Sequence, residues 1–362
     1  MEINNNLKYK LKNKIHSMVK NFDLFLTDTK KIHIIHGYND ILRDCIHLWR
    51  DGGTIDELKD MMLKVNKESF KYFGDLEKLI QLGFFDNENI QNNLSSFELE
   101  FWSRSLDYFS LFETNDVSKY HYLERLRNSK VVLVGIGGMG SWVLYQLLCM
   151  GVGSIHIIDG DKVELSNLNR SIIYNANDVG KWKVDCAIIA AKKFSPSTQI
   201  KGTILQIQNS NDLVSVIEDA DLLVSCADKP YWYIQQWVSE AGYQKNIPFI
   251  SASGGRVGPF TIPNVSSCRM CLWAGIVEKN QELSNSLKMH KELPTARKGV
   301  LISNVVFTAS FLINEIFNHL TELSEPLTIN SYWMQGKDFS SRLTPLEKHP
   351  NCSTCGIDAI GL

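Results

Sequence analysis

The stretch Val131–Leu148, VVLVGIGGMGSWVLYQLL, constrains this chain most. Val131 to Val134 are apolar and mostly β-branched, so they read as a buried strand. Glycines at 135, 137 and 140 then force a tight turn, and the apolar run from Ser141 reads as a helix packed back on the strand. Such a unit needs parallel neighbours, and the downstream sequence supplies them. SIHIID (154–159), a helix from Lys183, QIKGTILQI (199–207) and DLLVSCAD (221–228) keep strand and helix alternating. The alternation predicts an α/β fold with a doubly wound, Rossmann-like, mostly parallel sheet.

Sheets of this kind bind ligands beyond the carboxyl ends of their strands. There Gly135, Gly137, Gly138 and Gly140 let backbone amides at a helix N-terminus approach phosphate. Asp159 closes the second strand, where a carboxylate bonds ribose hydroxyls, and Asp161 shares its turn. Arg170 and Lys183 follow, and Asp228 ends the later strand in CAD. Two cations and a carboxylate above a glycine turn suit a triphosphate with Mg²⁺, the cations neutralising phosphate oxygens and the carboxylate holding the metal. Hydride transfer needs no such clamp, so ATP with Mg²⁺ is the expected pair.

Four of the eight cysteines form two tight pairs, Cys268-Arg-Met-Cys271 and Cys352-Ser-Thr-Cys355. Each pair puts two thiolates within reach of one tetrahedral ion, and four close a structural Zn²⁺ site; unligated or redox-active pairs are the alternatives. Cys45, Cys149, Cys186 and Cys226 sit in apolar surroundings and read as buried core filling.

The chain has 362 residues and a formal net charge of −2, enough for two domains and without the basic signature of a nucleic-acid partner. No apolar run reaches the ~20 residues that span a bilayer, and MEINNNLKYKLKNK lacks a signal-peptide core, so the expected location is cytoplasmic. Lys8, Lys10, Lys12, Lys14 and Lys20 suggest a solvated arm. FDLFL and KIHIIHG then read as two strands. DILRDCIHLW reads as a helix, the capping box Thr54-x-x-Glu57 opens a second, and DLEKLIQL makes a third that ends at Gly83. The polar run Asp86–Ser96 reads as a linker. The expected division is a small α+β, winged-helix-like domain over 1–90 and the nucleotide domain over 91–362.

GIGGMGS (135–141), IIDGDKVELSNLNR (157–170), DVGKWKVD (178–185) and CAD (226–228) resemble the ubiquitin-activating-type adenylating enzymes of the ThiF/MoeB kind. The resemblance covers roughly 100–356. It implies a homodimer in which a carboxylate attacks the α-phosphate of Mg-ATP to give an acyl-adenylate and pyrophosphate. It further implies that Asp159 holds ribose, that Asn167, Arg170 and Lys183 contact phosphates, and that Asp228 binds Mg²⁺. Arg104, in WSRSLDY, matches the arginine that crosses into the partner's site. Lys229 departs from the asparagine that follows the aspartate in many members.

Relatives that pass the acyl group to a cysteine carry it in the loop beyond the first C-x-x-C pair. Here Gly275–Gly299 has none, so another nucleophile is expected, beneath a polar crossover loop that contains His290, Lys291 and Arg297. The cysteine-free loop, the aromatic stretch after Arg104 and the C-S-x-C-G ending resemble the microcin C-type and pantocin-type peptide-modifying enzymes. Phe22–Phe85 likewise resembles a leader-peptide recognition element, with KIHIIHG as the edge strand and pockets against the helix carrying Ile41, Cys45 and Trp49. The implied partner is a ribosomal precursor peptide, with no membrane partner. Activation of a sulfur-carrier protein and a non-catalytic leader-presenting scaffold are the rival readings.

Overall fold

Tyr9 and Leu11 alternate with Lys8 and Lys10, and this period of two makes a strand rather than a solvated arm. The computed structural model describes residues 5, 7–12, 15–27, 31–87, 93–114, 117–195, 197–230, 233–279, 299–336 and 340–356. Within them β1 (Lys8–Leu11) points Tyr9 and Leu11 into a core. The residues after it form β2 (His16–Lys20), which pairs with β3 (Asp23–Thr27), and β3 pairs with β4 (Ile32–His36), all antiparallel. The arm expected over 1–20 is therefore corrected: Lys12 is buried, and only the lysines' alternation with apolar residues betrayed the strand.

Three helices follow as expected. α1 (Asp40–Asp51) buries Leu42, Cys45, Ile46 and Trp49, the spacing of one helical face, and ends at Gly52 with φ 84°. After β5 (Gly53–Thr54), α2 (Ile55–Val65) opens on the anticipated box: the Glu57 amide donates to Thr54 Oγ1 at 3.2 Å, and the Thr54 amide to Glu57 Oε2 at 2.9 Å. α3 (Phe73–Gln81) and β6 (Phe85–Asn87) complete the set, and β5 and β6 flank β1 in a second small sheet. The expected linker thus begins inside β6, taking in its last two residues, and Ser95, at its other end, caps a further helix.

The first compact unit is 1–121 and the second 122–362. α4 (Ser96–Phe101) and α5 (Ser103–Phe109) therefore belong with the N-terminal strands. An ionic cluster explains this. Lys12 Nζ lies 3.0 Å from Glu113 and 3.7 Å from Asp86, and donates to the Ser110 carbonyl at 3.2 Å, while Lys119 Nζ reaches Asp86 at 2.7 Å. It joins the end of β1 to β6 and to the chain just beyond α5.

α6 (Lys119–Asn128) begins in the last residues of the first unit and leads, in the second, into β7 (Lys130–Val134), α7 (Gly138–Met150), β8 (Ser154–Ile158), α8 (Lys183–Phe194), β9 (Gln199–Thr203), α9 (Ser210–Val216), β10 (Leu222–Ser225), α10 (Tyr233–Gln244) and β11 (Phe249–Ser253). β12 (Arg256–Val257), α11 (Arg269–Glu278), α12 (Ile302–Thr321), β13 (Ser331–Gln335) and β14 (Ser341–Pro345) follow. The sheet order is β14-β13-β12-β11-β10-β7-β8-β9, parallel from β11 to β9 and antiparallel beyond β11. The chain goes outward from β7 to β9, then returns to lay β10 on the other side of β7. The switch point therefore lies between β7 and β10, with Val134 opposite Ser225, so the turns leaving these two strands are neighbours. No described helix is long and apolar enough to cross a membrane.

Replacing Lys12 with Ala leaves two partly buried carboxylates short of a cation. Lys119 still serves Asp86, so the expected loss is about 3 kcal/mol, at the low end for a broken buried ion pair. Urea unfolding followed by a probe in the first unit checks it; an unchanged midpoint would show that the cluster holds nothing.

Candidate nucleotide site and metal centre

β7 ends at Val134, and the chain turns at Gly135 with φ 85°. A Cβ there would meet the Ala227 amide at 2.7 Å, and one at Gly140 would meet the Gly135 carbonyl oxygen at 1.9 Å, so both positions exclude side chains. A Cβ at Gly137 meets nothing within 4 Å. The turn is thus packed on its inner side and open at Gly137, where α7 begins.

Asp159 sits just past β8, only 9% exposed. Its Oδ2 accepts the Ile136 amide at 2.7 Å and its Oδ1 the Asp161 amide at 2.8 Å. Burial pushes its carboxyl up, and Lys183 and the two amides oppose that shift. Lys183, the first residue of α8, is 7% exposed; its ammonium lies 2.8 Å from Asp161 Oδ2 and 3.8 Å from Asp159 Oδ1. Burial pushes Asp161 up as well, but hydrogen bonding and charge from Lys183, with help from Gln206 and Lys229, hold it below the usual carboxylate range. The Lys183 amide also donates to the Asp161 carbonyl at 3.0 Å, so cation and turn are fixed to each other.

Arg170 lies over the start of α7. A Cβ at Gly138 would come within 2.7 Å of its Cγ, and its guanidinium donates to the Ser166 carbonyl and to Asn169 Oδ1 at 3.2 Å. Asn167 is buried, with its Oδ1 accepting the Glu164 amide at 3.1 Å. Asp228 is exposed and follows Ala227, the residue that packs on Gly135. Asp159, Asp161, Lys183, Arg170 and the glycine turn are therefore assembled in one place, with Asp228 at its edge. Arg104 lies in the first unit on α5, 96% exposed and 4.0 Å from Asp107.

Two supporting residues escaped the sequence reading. The Tyr174 hydroxyl donates to the Ile136 carbonyl at 2.7 Å, and Gln235 Nε2 donates to the Ala227 carbonyl at 3.1 Å. Both brace a turn from behind, and neither stands in a spacing that marks it. His290, Lys291 and Arg297 lie outside the described residues. Cys149 is exposed on α7, which corrects its reading as core, whereas Cys186 and Cys226 are buried. Burial pushes the Cys226 thiol up to about 12. On α1, Cys45 and Trp49 are 0% exposed, so the pocket expected against that helix is filled by the core itself.

Both C-x-x-C pairs meet. Sγ separations are 3.9 Å (Cys268–Cys271), 3.5 Å (Cys268–Cys352) and 3.2 Å (Cys271–Cys355), and all four sulfurs lie within 4.8 Å of one another. A tetrahedral zinc with bonds of about 2.3 Å sets its sulfurs roughly 3.8 Å apart, so the cage fits that ion. The His349 amide donates to Cys271 Sγ at 3.4 Å and the Thr354 amide to Cys352 Sγ at 3.5 Å, contacts that suit thiolates. Four buried thiols around one point would leave a bound ion no open position, the arrangement of a structural rather than a catalytic centre.

The profile of the ThiF family matches residues 103–354. The chain belongs to the ThiF family. Among curated relatives, the adenylyltransferase and sulfurtransferase UBA4 of Kluyveromyces lactis is 29% identical over 153 residues, 41% of this chain and 34% of that protein. The chain thus matches about a third of the length of such relatives. Solved structures of Escherichia coli MccB share the fold. The structure with ATP has a TM-score of 0.70 and 22% identity, and covers 96% of this chain and 100% of that one. The microcin C7 biosynthetic enzyme MccB with N-formylated MccA has 0.72 and 21%, with the same coverage. PaaA matches with a TM-score of 0.71 at 22% identity, over 93% of this chain and 100% of that one.

The ThiF-family protein is expected to carry one zinc per chain by elemental analysis. Cys352→Ser should lose the metal and lower Tm by about 5 °C or more, because metal affinity is folding free energy. Zinc-free protein of unchanged Tm would remove the centre.

Proposed function

We propose that this chain is an ATP-dependent adenylating enzyme acting on a ribosomally made precursor peptide in peptide-antibiotic maturation. The observation that carries the nucleotide half is the desolvated Lys183 ammonium held beside Asp159 and Asp161 at an open glycine turn. Asp159 would bond ribose; Arg170, Lys183 and Asn167 would take phosphates; Asp228 would hold Mg²⁺. A peptide carboxylate or amide oxygen attacks the α-phosphorus, the bond to the bridging oxygen of the β-phosphate breaks, and pyrophosphate departs with that electron pair. When bound at Asp228, Mg²⁺ would supply neutralisation of the phosphate charge, and Lys183 would add its own at a site already stripped of water. Arg104 of a second copy would complete the site in a homodimer.

The N-terminal unit supports the peptide half. β4 is an edge strand paired only with β3, so its outer amides and carbonyls face no described strand. Ile32 and Ile34 stand exposed on it at 69% and 39%, and Phe22, at the β2–β3 turn, at 81%. A leader peptide added as the next strand would gain main-chain bonds from the edge and apolar contacts from these side chains. The MccB–MccA structure is consistent with a peptide partner. An acyl-enzyme thioester is disfavoured by the high pKa of buried Cys226 and by the cysteine-free segment 275–299.

The UBA4 relatives favour a second reading, activation of a sulfur-carrier protein. Pyrophosphate exchange separates the two. The expected outcome is Mg²⁺-dependent exchange stimulated by a precursor peptide and lost in Asp228→Ala; stimulation by a ubiquitin-like carrier alone would establish the second reading.

Mixing Arg104→Ala with Asp228→Ala chains should restore activity to mixed dimers, up to about half of wild type per mixed dimer, since one complete site survives. Demonstrated subunit exchange with no recovery would count against a shared site.

A further inference from the structure

Tyr174 is 6% exposed and lies behind the glycine turn, outside every motif. Its hydroxyl donates to the Ile136 carbonyl at 2.7 Å and stands 3.5 Å from the Lys183 carbonyl. Ile136 is 0% exposed, and its amide is taken by Asp159 at 2.7 Å, so both polar groups of this residue are held inward. The peptide bond from Ile136 to Gly137 is trans, since the cis bonds fall elsewhere. In a planar trans peptide the C=O and N–H point in opposite directions. Pinning the Ile136 carbonyl inward therefore turns the Gly137 N–H outward. That amide meets no backbone acceptor in the described chain, and no heavy atom lies within 4 Å of where a Cβ of Gly137 would stand.

We propose that Tyr174 is a positioning residue for the phosphate-binding turn: by holding the Ile136 carbonyl it aims the Gly137 amide at a nucleotide phosphate and ties that turn to the residue bearing the Lys183 ammonium. The inference rests on the nucleotide-binding reading above. Without the hydroxyl the peptide plane is free to rotate, and the amide loses its fixed direction. Burial drives the phenol well above its ordinary range, so it remains a donor across the working pH. Phenylalanine keeps the ring and removes one oxygen.

The test compares ATP and adenosine, which differ only in the triphosphate. Wild type and Tyr174→Phe are titrated with each by calorimetry, with thermal unfolding as the check on folding. The expected result is about five- to thirtyfold weaker ATP binding with adenosine affinity unchanged; in pyrophosphate exchange, KM for ATP rises while that for the peptide stays. Equal ATP affinity in the two proteins, or an equal loss for adenosine, overturns the proposal and leaves the nucleotide reading intact. A wild-type protein that binds no ATP overturns both. Should the variant fail to fold, hydrogen exchange of residues 135–140 in the wild type decides: protection by ATP but not by adenosine supports the proposal, and identical exchange with both overturns it.

Discussion

The Asp159 carboxylate is the contact on which the nucleotide half of this molecule depends. One oxygen accepts from the turn that leaves β7 and the other from the turn that leaves β8, so a single side chain fixes the relative position of two loops. An ionised carboxylate at 9% exposure is unfavourable unless its lone pairs are taken, and the two amides with the nearby Lys183 meet that requirement. Each oxygen has accepted one hydrogen bond and keeps a lone pair for a further donor. The same group thereby builds the turn and retains capacity for a further donor, whereas an amide of the same shape could accept only one of the two backbone amides.

The C-terminal half is held by a different device. Cys268 caps α11 and Cys271 lies in its first turn, in the segment after β12, and Cys352 and Cys355 lie near the end of the described chain. All four pack in the same apolar cluster as Val132, Val134 and Leu223 of the central strands. A metal held here would join segments distant in sequence beneath the strands that carry the glycine turn. Loop-closure entropy grows slowly with length, so one four-ligand node constrains the long intervening chain at modest cost.

How far the sequence disclosed this structure depends on the range of each signal. Thr54 and Glu57 cap α2 through neighbours three residues apart, and the local pattern was sufficient. The strand-turn-helix at 131–148 carried its own partners in the alternation downstream. Cysteine pairs declared the metal cage because zinc chemistry restricts the ligand set, although no spacing rule could show that residues so far apart would meet. What escaped was decided by distant partners. Lys8–Leu11 looked like a charged arm because its lysines were counted and its apolar alternation was not; only β5 and β6, far along the chain, give it sheet partners. Cys149 looked buried because it ends an apolar run, but it falls on the exposed side of α7. Tyr174 could be found only from the carbonyl it binds.

Lys183 shows why the site is organised before any ligand arrives. Its ammonium is 7% exposed and already stripped of most of its water. Two carboxylates at 2.8 and 3.8 Å offset that desolvation, one buried and one, Asp161, with a side chain 60% exposed. In the proposed role, a phosphate oxygen approaching the open turn would compete with Asp161 for the same cation. The exchange is one charged partner for another, so it costs little reorganisation, and the released Asp161 oxygen can be rehydrated because it faces solvent. A lysine waiting in water would have to shed its hydration at each binding event. Holding it on a displaceable carboxylate moves that cost into folding, where the β8 turn and the start of α8 bear it.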